Sequence, residues 1–210
     1  MSVRSTSGTV AAGGGTKEAI REAAVRLFSS KGFDQTSLRE VADAVGITKA
    51  SLYYHYASKL DLLLAIIEPI FDDLQAVVHD AEQRTYGPDT AREVLTGQLR
   101  VLLRHRTAGA MCVRDAVAIV NAIGNSRYPD ISDMHRRLCH WLAGPDASYE
   151  ALLRASAAVE VLGTVLWSNE IVPAADDELI ERVLLDTALG VLAIGGGAEL
   201  AAGSGCAHHG

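Results

Sequence analysis

Residues 33–63 read FDQTSLREVADAVGITKASLYYHYASKLDLL, and the fold follows from this stretch. Ser37, with Glu40 three residues later, forms a capping box. The hydroxyl takes an orphan amide of the first turn while the carboxylate reaches back to the cap, so a helix begins at residue 38. Gly46 ends it after two turns, at residue 45. Thr48 caps a second short helix reaching about Tyr54, and Ser58 with Asp61 opens another at Lys59. Two short helices joined by the tight Gly46-Ile47-Thr48 turn make a helix-turn-helix. Val41, Val45, Ile47 and Leu52 supply their shared core, and the small Ala42 lets them cross closely. On a helical wheel Leu52 and Tyr56 fall inward, which leaves Ala50, Ser51 and Tyr54 facing out. Lys49 and Tyr53 lie on one flank and His55 on the other, where a helix laid in a major groove meets the phosphate walls. Lys59, at a helix N-terminus whose free amides and dipole favour an anion, is a further phosphate candidate. Arg39 is placed to reach a guanine edge or a phosphate.

Outward from this stretch, apolar residues recur at helical spacing and nowhere alternate with a period of two, which predicts an all-α protein. Ile20, Ala23, Ala24, Leu27 and Phe28 make one face of a first helix over 16–31, closed by Gly32. After the motif a long helix is expected over 59–84, kinked at Pro69, then helices over 89–104, 108–124, 130–142, 147–170 and 176–194. That makes about nine helices, with a turn at Asn125 to Pro129. Residues 1–15 and 195–210 lack periodicity and read as flexible tails, and His208 and His209 near the end carry no metal site by themselves. The resulting division is a tail at 1–15, a DNA-binding domain at 16–61, a ligand-binding and dimerisation domain at 62–194, and a tail at 195–210.

The stretch from Ile20 through Leu63 resembles the N-terminal domain of the TetR family of bacterial transcriptional regulators. The Gly32-Phe33 start, the Thr36-Ser37 helix opening, the Gly46-Ile47 turn, the Leu52-Tyr53-Tyr54-His55 run and the Ser58-Lys59-x-Asp61 helix start all fall in register. Tyr56 stands where Phe is usual, and Leu60 where an acidic residue is common. The resemblance implies that Tyr53, His55 and Lys59 touch phosphates, that Lys49, Ala50, Ser51 and Tyr54 lie nearest the DNA bases, that Ser37 and Arg39 make the contacts of the preceding helix, and that Thr48 belongs to the same DNA-binding set. It also implies a homodimer whose C-terminal domains sense a small molecule.

Charge supports a front end that meets a polyanion. Residues 1–60 hold eight Lys or Arg against five Asp or Glu, and the remainder eleven against twenty-one, net +3 and −10. The composition, 49% hydrophobic and 21% charged, allows a buried core and excludes a disordered chain. No apolar run reaches the roughly 18 residues of a membrane span, and no apolar segment opens the chain, so a cytoplasmic protein without a membrane partner is expected. Cys112, Cys139 and Cys206 are too widely spaced for a disulfide framework or a zinc ladder and read as reduced thiols.

The helix around Ala151 to Trp167 is apolar on nearly every side, and the last helix repeats the pattern. Leu152, Val159, Leu162 and Leu166, with Val183, Leu184 and Leu189, are therefore expected to seek cover in a four-helix dimer bundle; the simpler alternative is the core of a monomer. Two-fold symmetry would set two recognition helices roughly 34–36 Å apart on a pseudo-palindrome. Polar or soft residues set in apolar helices are the clues to a pocket: His105, Met111, Cys112, Asp115, Trp141, Trp167 and Asn169. So few aromatic residues predict a mainly aliphatic cavity. His135, Cys139 and His140 include two metal-ligand types at i and i+4 but no completing set, so no metal is expected. No nucleophile elbow, HExxH, P-loop or dinucleotide glycine pattern occurs, so neither enzyme nor cofactor is expected. The chain reads as a ligand-responsive regulator, most simply a repressor binding double-stranded operator DNA as a homodimer. The alternative is a helical small-molecule binding protein that does not read DNA.

Overall fold

The computed structural model describes residues 14–123, 131–145 and 147–193. Residues 1–13 of the tail expected at 1–15, the tail expected at 195–210 with Cys206, His208 and His209, and the Asn125 to Pro129 turn lie outside them, while Gly14 and Gly15 open the first helix. All regular structure among the described residues is helical, and the nine expected helices are found, two of them interrupted. They run α1 (Gly14–Lys31), α2 (Leu38–Val45), α3 (Lys49–His55), α4 (Lys59–Glu82), α5 (Pro88–Arg104), α6 (Arg106–Arg114), α7 (Ala116–Ile123), α8 (Ile131–Ala143) and α9 (Tyr149–Gly163). A 3-10 turn over Thr164–Trp167, α10 (Ser168–Ile171) and α11 (Asp177–Ala193) complete them.

The chain divides into two compact units. The first holds residues up to 68 together with 110–123, so a segment distant in sequence shares the unit of the helix-turn-helix instead of a single cut at 61. In it Ile20, Ala23, Ala24 and Phe28 of α1 are buried with Val41, Ala42, Leu52, Leu62, Leu63 and Ile66. Each large side chain sealed here contributes about 1.5–3 kcal/mol relative to exposure. Phe28 meets Phe33 edge to face with centroids 5.2 Å apart. Met111 and Ile119 of the 110–123 segment are buried too. Gly46, at φ 75°, takes the left-handed cap that ends α2 and aims α3, a conformation side chains with a Cβ resist.

The second unit holds 69–109 with α8, α9, α10 and α11. Its core is built from Leu95 and Leu99 of α5, Leu138 and Leu142 of α8, Ala155, Ala158 and Leu162 of α9, and Ala188 of α11. The alanines let α9 approach α5, α8 and α11 closely. A Cβ at Gly109 would lie 2.8 Å from a Leu166 methyl carbon, so a larger residue there would make the Leu166 side chain shift. The unit boundary falls inside α4 at Pro69, through which the helix continues.

The segment expected as one helix over 108–124 is two, α6 and α7, interrupted at Asp115, whose carboxylate is drawn to the amide of Phe33. The 147–170 helix tightens into the 3-10 turn before α10. The stretch Tyr149–Ile171, interrupted by Glu150, Arg154, Glu160 and Glu170, is by length and average composition apolar enough to cross a membrane. Its inner stripe, Ala155, Ala158, Leu162 and Val165, lies in the core of the second unit.

Candidate nucleic-acid interface

Ser37 caps α2 as expected. Its hydroxyl oxygen accepts from the Glu40 amide at 3.2 Å, and its own amide donates to Glu40 Oε2 at 2.8 Å. Lys31 Nζ lies 2.5 Å from Glu40 Oε1. Lys31 first, then the amide and hydroxyl of Ser37, pull the Glu40 carboxyl down to about 2. The box therefore ties the end of α1 to the start of α2. Arg39 projects outward, 4.0 Å from Asp43.

Thr48 caps α3, its hydroxyl accepting from the Ser51 amide at 3.1 Å. Within α3 only Leu52 is buried; Tyr56 follows as the C-cap, sunk into the unit with its hydroxyl donating to the Lys17 carbonyl at 3.4 Å. The opposite face is left to solvent: Lys49, Ala50, Tyr53 and Tyr54 are exposed, Ser51 and His55 half-buried. Tyr54 is 87% exposed, an unusual position for so large a ring. Lys49 Nζ sits 5.5 Å from the centre of the Tyr53 ring, and Tyr54 meets His55 edge to face at 5.3 Å. The exposed row thus holds a cation, two phenols and an imidazole, groups that donate to phosphates and base edges.

Lys59 is built differently. Its ammonium lies 4.3 Å from the Phe33 ring centre and donates to the Asp34 carbonyl at 3.2 Å, and burial lowers its pKa from the ordinary lysine value. It holds the Phe33-Asp34 corner and retains further N–H donors.

The sequence reading did not assign the contacts that secure this corner from 110–123. Asp115 Oδ2 accepts the Phe33 amide at 3.0 Å, and Arg114 donates to the Phe28 carbonyl at 2.7 Å and to that of Ser29. Arg114 thereby supplies a donor to the Ser29 carbonyl at the end of α1 and a second one to that of Phe28, which also accepts the Gly32 amide at 2.9 Å. Asp115, expected among the pocket residues, serves the helix-turn-helix unit instead.

With this geometry in place, residues 20–66 match the family described as bacterial regulatory proteins, tetR family. Residues 20–66 are thus a DNA-binding domain of the TetR type. Over 62 residues the chain is 42% identical to the biofilm operon icaADBC HTH-type negative transcriptional regulator IcaR of Staphylococcus aureus, which is 30% of this chain and 33% of that protein. The chain thus spans about a third of the length of the curated relative it matches. Two solved structures share its fold over most of their length. A transcriptional regulator from Aquifex aeolicus superposes with a TM-score of 0.61 at 21% identity, covering 82% of this chain and 96% of that one. A gamma-butyrolactone receptor (ArpA-like protein) gives 0.56 at 21% identity, covering 84% and 97%.

The seven expected pocket residues divide between the two units. Met111, Cys112 and Asp115 lie with the helix-turn-helix, and His105, Trp141, Trp167 and Asn169 with the second unit. Met111 is buried, and the Cys112 thiol is pushed up to about 12, mainly by burial. His105 Nε2 lies 2.9 Å from Asp73 Oδ2, which also takes Arg104 at 2.7 Å, and the His105 contact leads in lowering the Asp73 carboxyl. Trp141 donates to the Arg84 carbonyl at 3.3 Å, packs edge to face on Tyr86 and lines a cavity with it. Trp167 is half-buried and Asn169 exposed.

Among the expected dimer residues, Val159 and Leu162 are buried in the protomer's own core, which corrects their assignment to a surface for a second copy. Leu152, Leu166, Leu184 and Leu189 are half-buried, and Val183 is 46% exposed. Leu153, on the same apolar helix, is 72% exposed. Ile171, Val172, Leu179 and Val183 line an apolar groove of about 200 Å3.

Proposed function

We propose that this chain is a TetR-family, ligand-responsive transcriptional regulator acting as a repressor in the cytoplasm. A homodimer holds pseudo-palindromic operator DNA through two copies of α3 and lets go when a small, mainly apolar effector fills the helical body. The observation that carries the reading is the solvent face of α3, where Lys49, Tyr53, Tyr54 and His55 stand out from a helix anchored only by Leu52. Aromatic and cationic side chains displayed this way have no packing role to explain them, whereas a major groove and its phosphates would cover them.

The named negative regulator similar to this chain supports repression. The apolar outer surface of α9 and α11, with Leu153, Leu179 and Val183, supports two-fold pairing. An effector acts by preferring the arrangement of the dimer that does not fit the operator, and so shifts the population away from it.

The test is fluorescence anisotropy of the purified chain against DNA flanking its own gene, or against sequences selected from random DNA, with nonspecific competitor at two salt concentrations. Binding that survives competitor and weakens with salt is expected. Failure to select any sequence would overturn the DNA-binding role.

A further inference from the structure

Met111, Asp115 and Ile119 stand four residues apart along the 110–123 segment and share one face of it. Met111 and Ile119 are buried, and the Asp115 side chain between them is 18% exposed. A carboxylate on a stripe that packs inward has to be paired. Oδ2 accepts the Phe33 amide at 3.0 Å and lies 3.4 Å from Arg114 Nη2. The backbone of Asp115 is held on both sides as well, its amide donating to the Met111 carbonyl and its carbonyl accepting the Ile119 amide. The carboxylate is thus a fixed point, and Arg114 beside it grips the Phe28 and Ser29 carbonyls near the end of α1.

What this fixed point holds is the platform under Lys59. The Phe33 amide is bonded to Asp115, while the buried Phe33 ring meets Phe28 edge to face and carries the Lys59 ammonium 4.3 Å from its centre. The next residue, Asp34, supplies the carbonyl to which Lys59 Nζ donates at 3.2 Å. Both contacts therefore belong to the dipeptide whose first amide Asp115 holds. A free lysine side chain spreads over many rotamers and must be ordered when it meets a phosphate, whereas one set down on a ring and a carbonyl is ordered beforehand.

We infer that Asp115 is a positioning residue for DNA binding: acting through Phe33 and Asp34, it holds the Lys59 ammonium where its remaining N–H groups can donate to a backbone phosphate. This rests on the DNA-binding reading above and deepens it. The sign of the effect separates this role from a simple electrostatic one. A carboxylate near a polyanion repels it, so if Asp115 acted by charge alone its removal would strengthen binding. As the holder of Lys59, its removal weakens binding.

The test is the salt dependence of binding to selected operator DNA for five forms of the full chain: wild type, Asp115→Ala, Asp115→Asn, Lys59→Met, and Asp115→Ala combined with Lys59→Met. Methionine keeps a stem over the Phe33 ring and removes the charge. The slope of log affinity on log salt counts phosphate contacts, so Lys59→Met is expected to make it shallower by about 1 for each head engaged. Asp115→Ala is expected to do nearly the same. Asp115→Asn, which keeps an oxygen for the Phe33 amide, is expected to retain the wild-type slope, and the double variant to be no shallower than Lys59→Met. A head that Asp115→Ala only unfolds in part would instead lose affinity by nearly one factor at every salt concentration and keep its slope. A second readout needs no DNA: the Phe33 ring current moves the Lys59 ε-methylene protons upfield, and that shift is expected to collapse in Asp115→Ala and persist in Asp115→Asn.

An unchanged slope in Asp115→Ala overturns the proposal, and so does a double variant shallower than Lys59→Met by a further step of the same size, since the two residues then act independently. Tighter binding in both Asp115 variants leaves Asp115 as a charge alone. An unchanged slope in Lys59→Met removes Lys59 from the phosphate set and the proposal with it. A Lys59 shift that survives in Asp115→Ala overturns the positioning whatever the DNA shows. Failure of the wild type to bind any selected DNA overturns the regulator reading, and the Lys59 shift then decides by itself whether Asp115 holds the ammonium.

Discussion

Lys49 and Lys59 show how two cations of one motif divide their work. Lys59 packs on Phe33 and donates to Asp34, so replacing it disturbs the head as well as any phosphate it touches. Lys49 is exposed and touches only the Tyr53 ring face. Lys49→Ala is therefore the cleaner test of a phosphate contact. It should weaken binding to every DNA sequence and lower the salt slope by about 1 while leaving the melting temperature in place; an unchanged slope would remove Lys49 from the phosphate set. Glu40 gives a residue-scale test of the fold. Its carboxyl is held at about 2 by Lys31 and Ser37, below the ordinary value of 4.5. A depressed folded-state pKa stabilises the protein fully above the unfolded value, and that contribution is lost as pH falls from about 4.5 through about 2. A 13C titration of the Glu40 carboxyl should give a midpoint near 2, and in Ser37→Ala, which leaves Lys31 in place, a higher one. Removing the Ser37 cap should also cost about 1 kcal/mol in urea unfolding.

At the scale of elements, the link from the 110–123 segment to the end of α1 is the contact most open to test. Asp115→Ala leaves the Phe33 amide without its acceptor and should cost on the order of 1–2 kcal/mol. Asp115→Asn keeps an oxygen in place and should recover most of that. Hydrogen exchange at the Phe33 amide separates the two, fast in the alanine variant and near the wild type in asparagine, and equal rates in both would show that this bond does not hold the corner. The contact also marks what a sequence can disclose. The Ser37-Glu40 box, the Gly46 cap and the inward Leu52 depend on neighbours within a turn or two, so spacing alone revealed α2, α3 and the outward row. Phe33 and Asp115 lie 82 positions apart, and only the packed chain brings them together. The break between α6 and α7 was hidden for the same reason. So was the unpartnered amide oxygen of Gln98, since its type is ordinary in a helix and its missing partner is a property of the surroundings.

At the scale of the whole molecule, a helix apolar on every side does not say which stripe it keeps for itself. On α9 the inward stripe is Ala155, Ala158 and Leu162, and Leu153 is left outside; on α11, Leu185 and Ala188 face in while Leu179 and Val183 remain exposed. Two-fold pairing sets each exposed side chain near its own counterpart or its neighbour on the other helix, so one substitution acts twice in every dimer. The double variant Leu153→Glu with Val183→Glu would bring four carboxylates into a surface that must be stripped of water, and burying unpaired charges there outweighs what the apolar contact contributes. Neither residue lies in the protomer core, so helical content and the melting of a monomer should survive. Light scattering should show a dimer for the wild type and a monomer for the variant. Affinity for a palindromic operator should then fall at least 100-fold, because a single head must bind without the second held at high local concentration. Affinity for an isolated half-site should not change. A variant that remains dimeric would place the interface on another face, and a wild type that is monomeric at micromolar concentration would overturn the pairing.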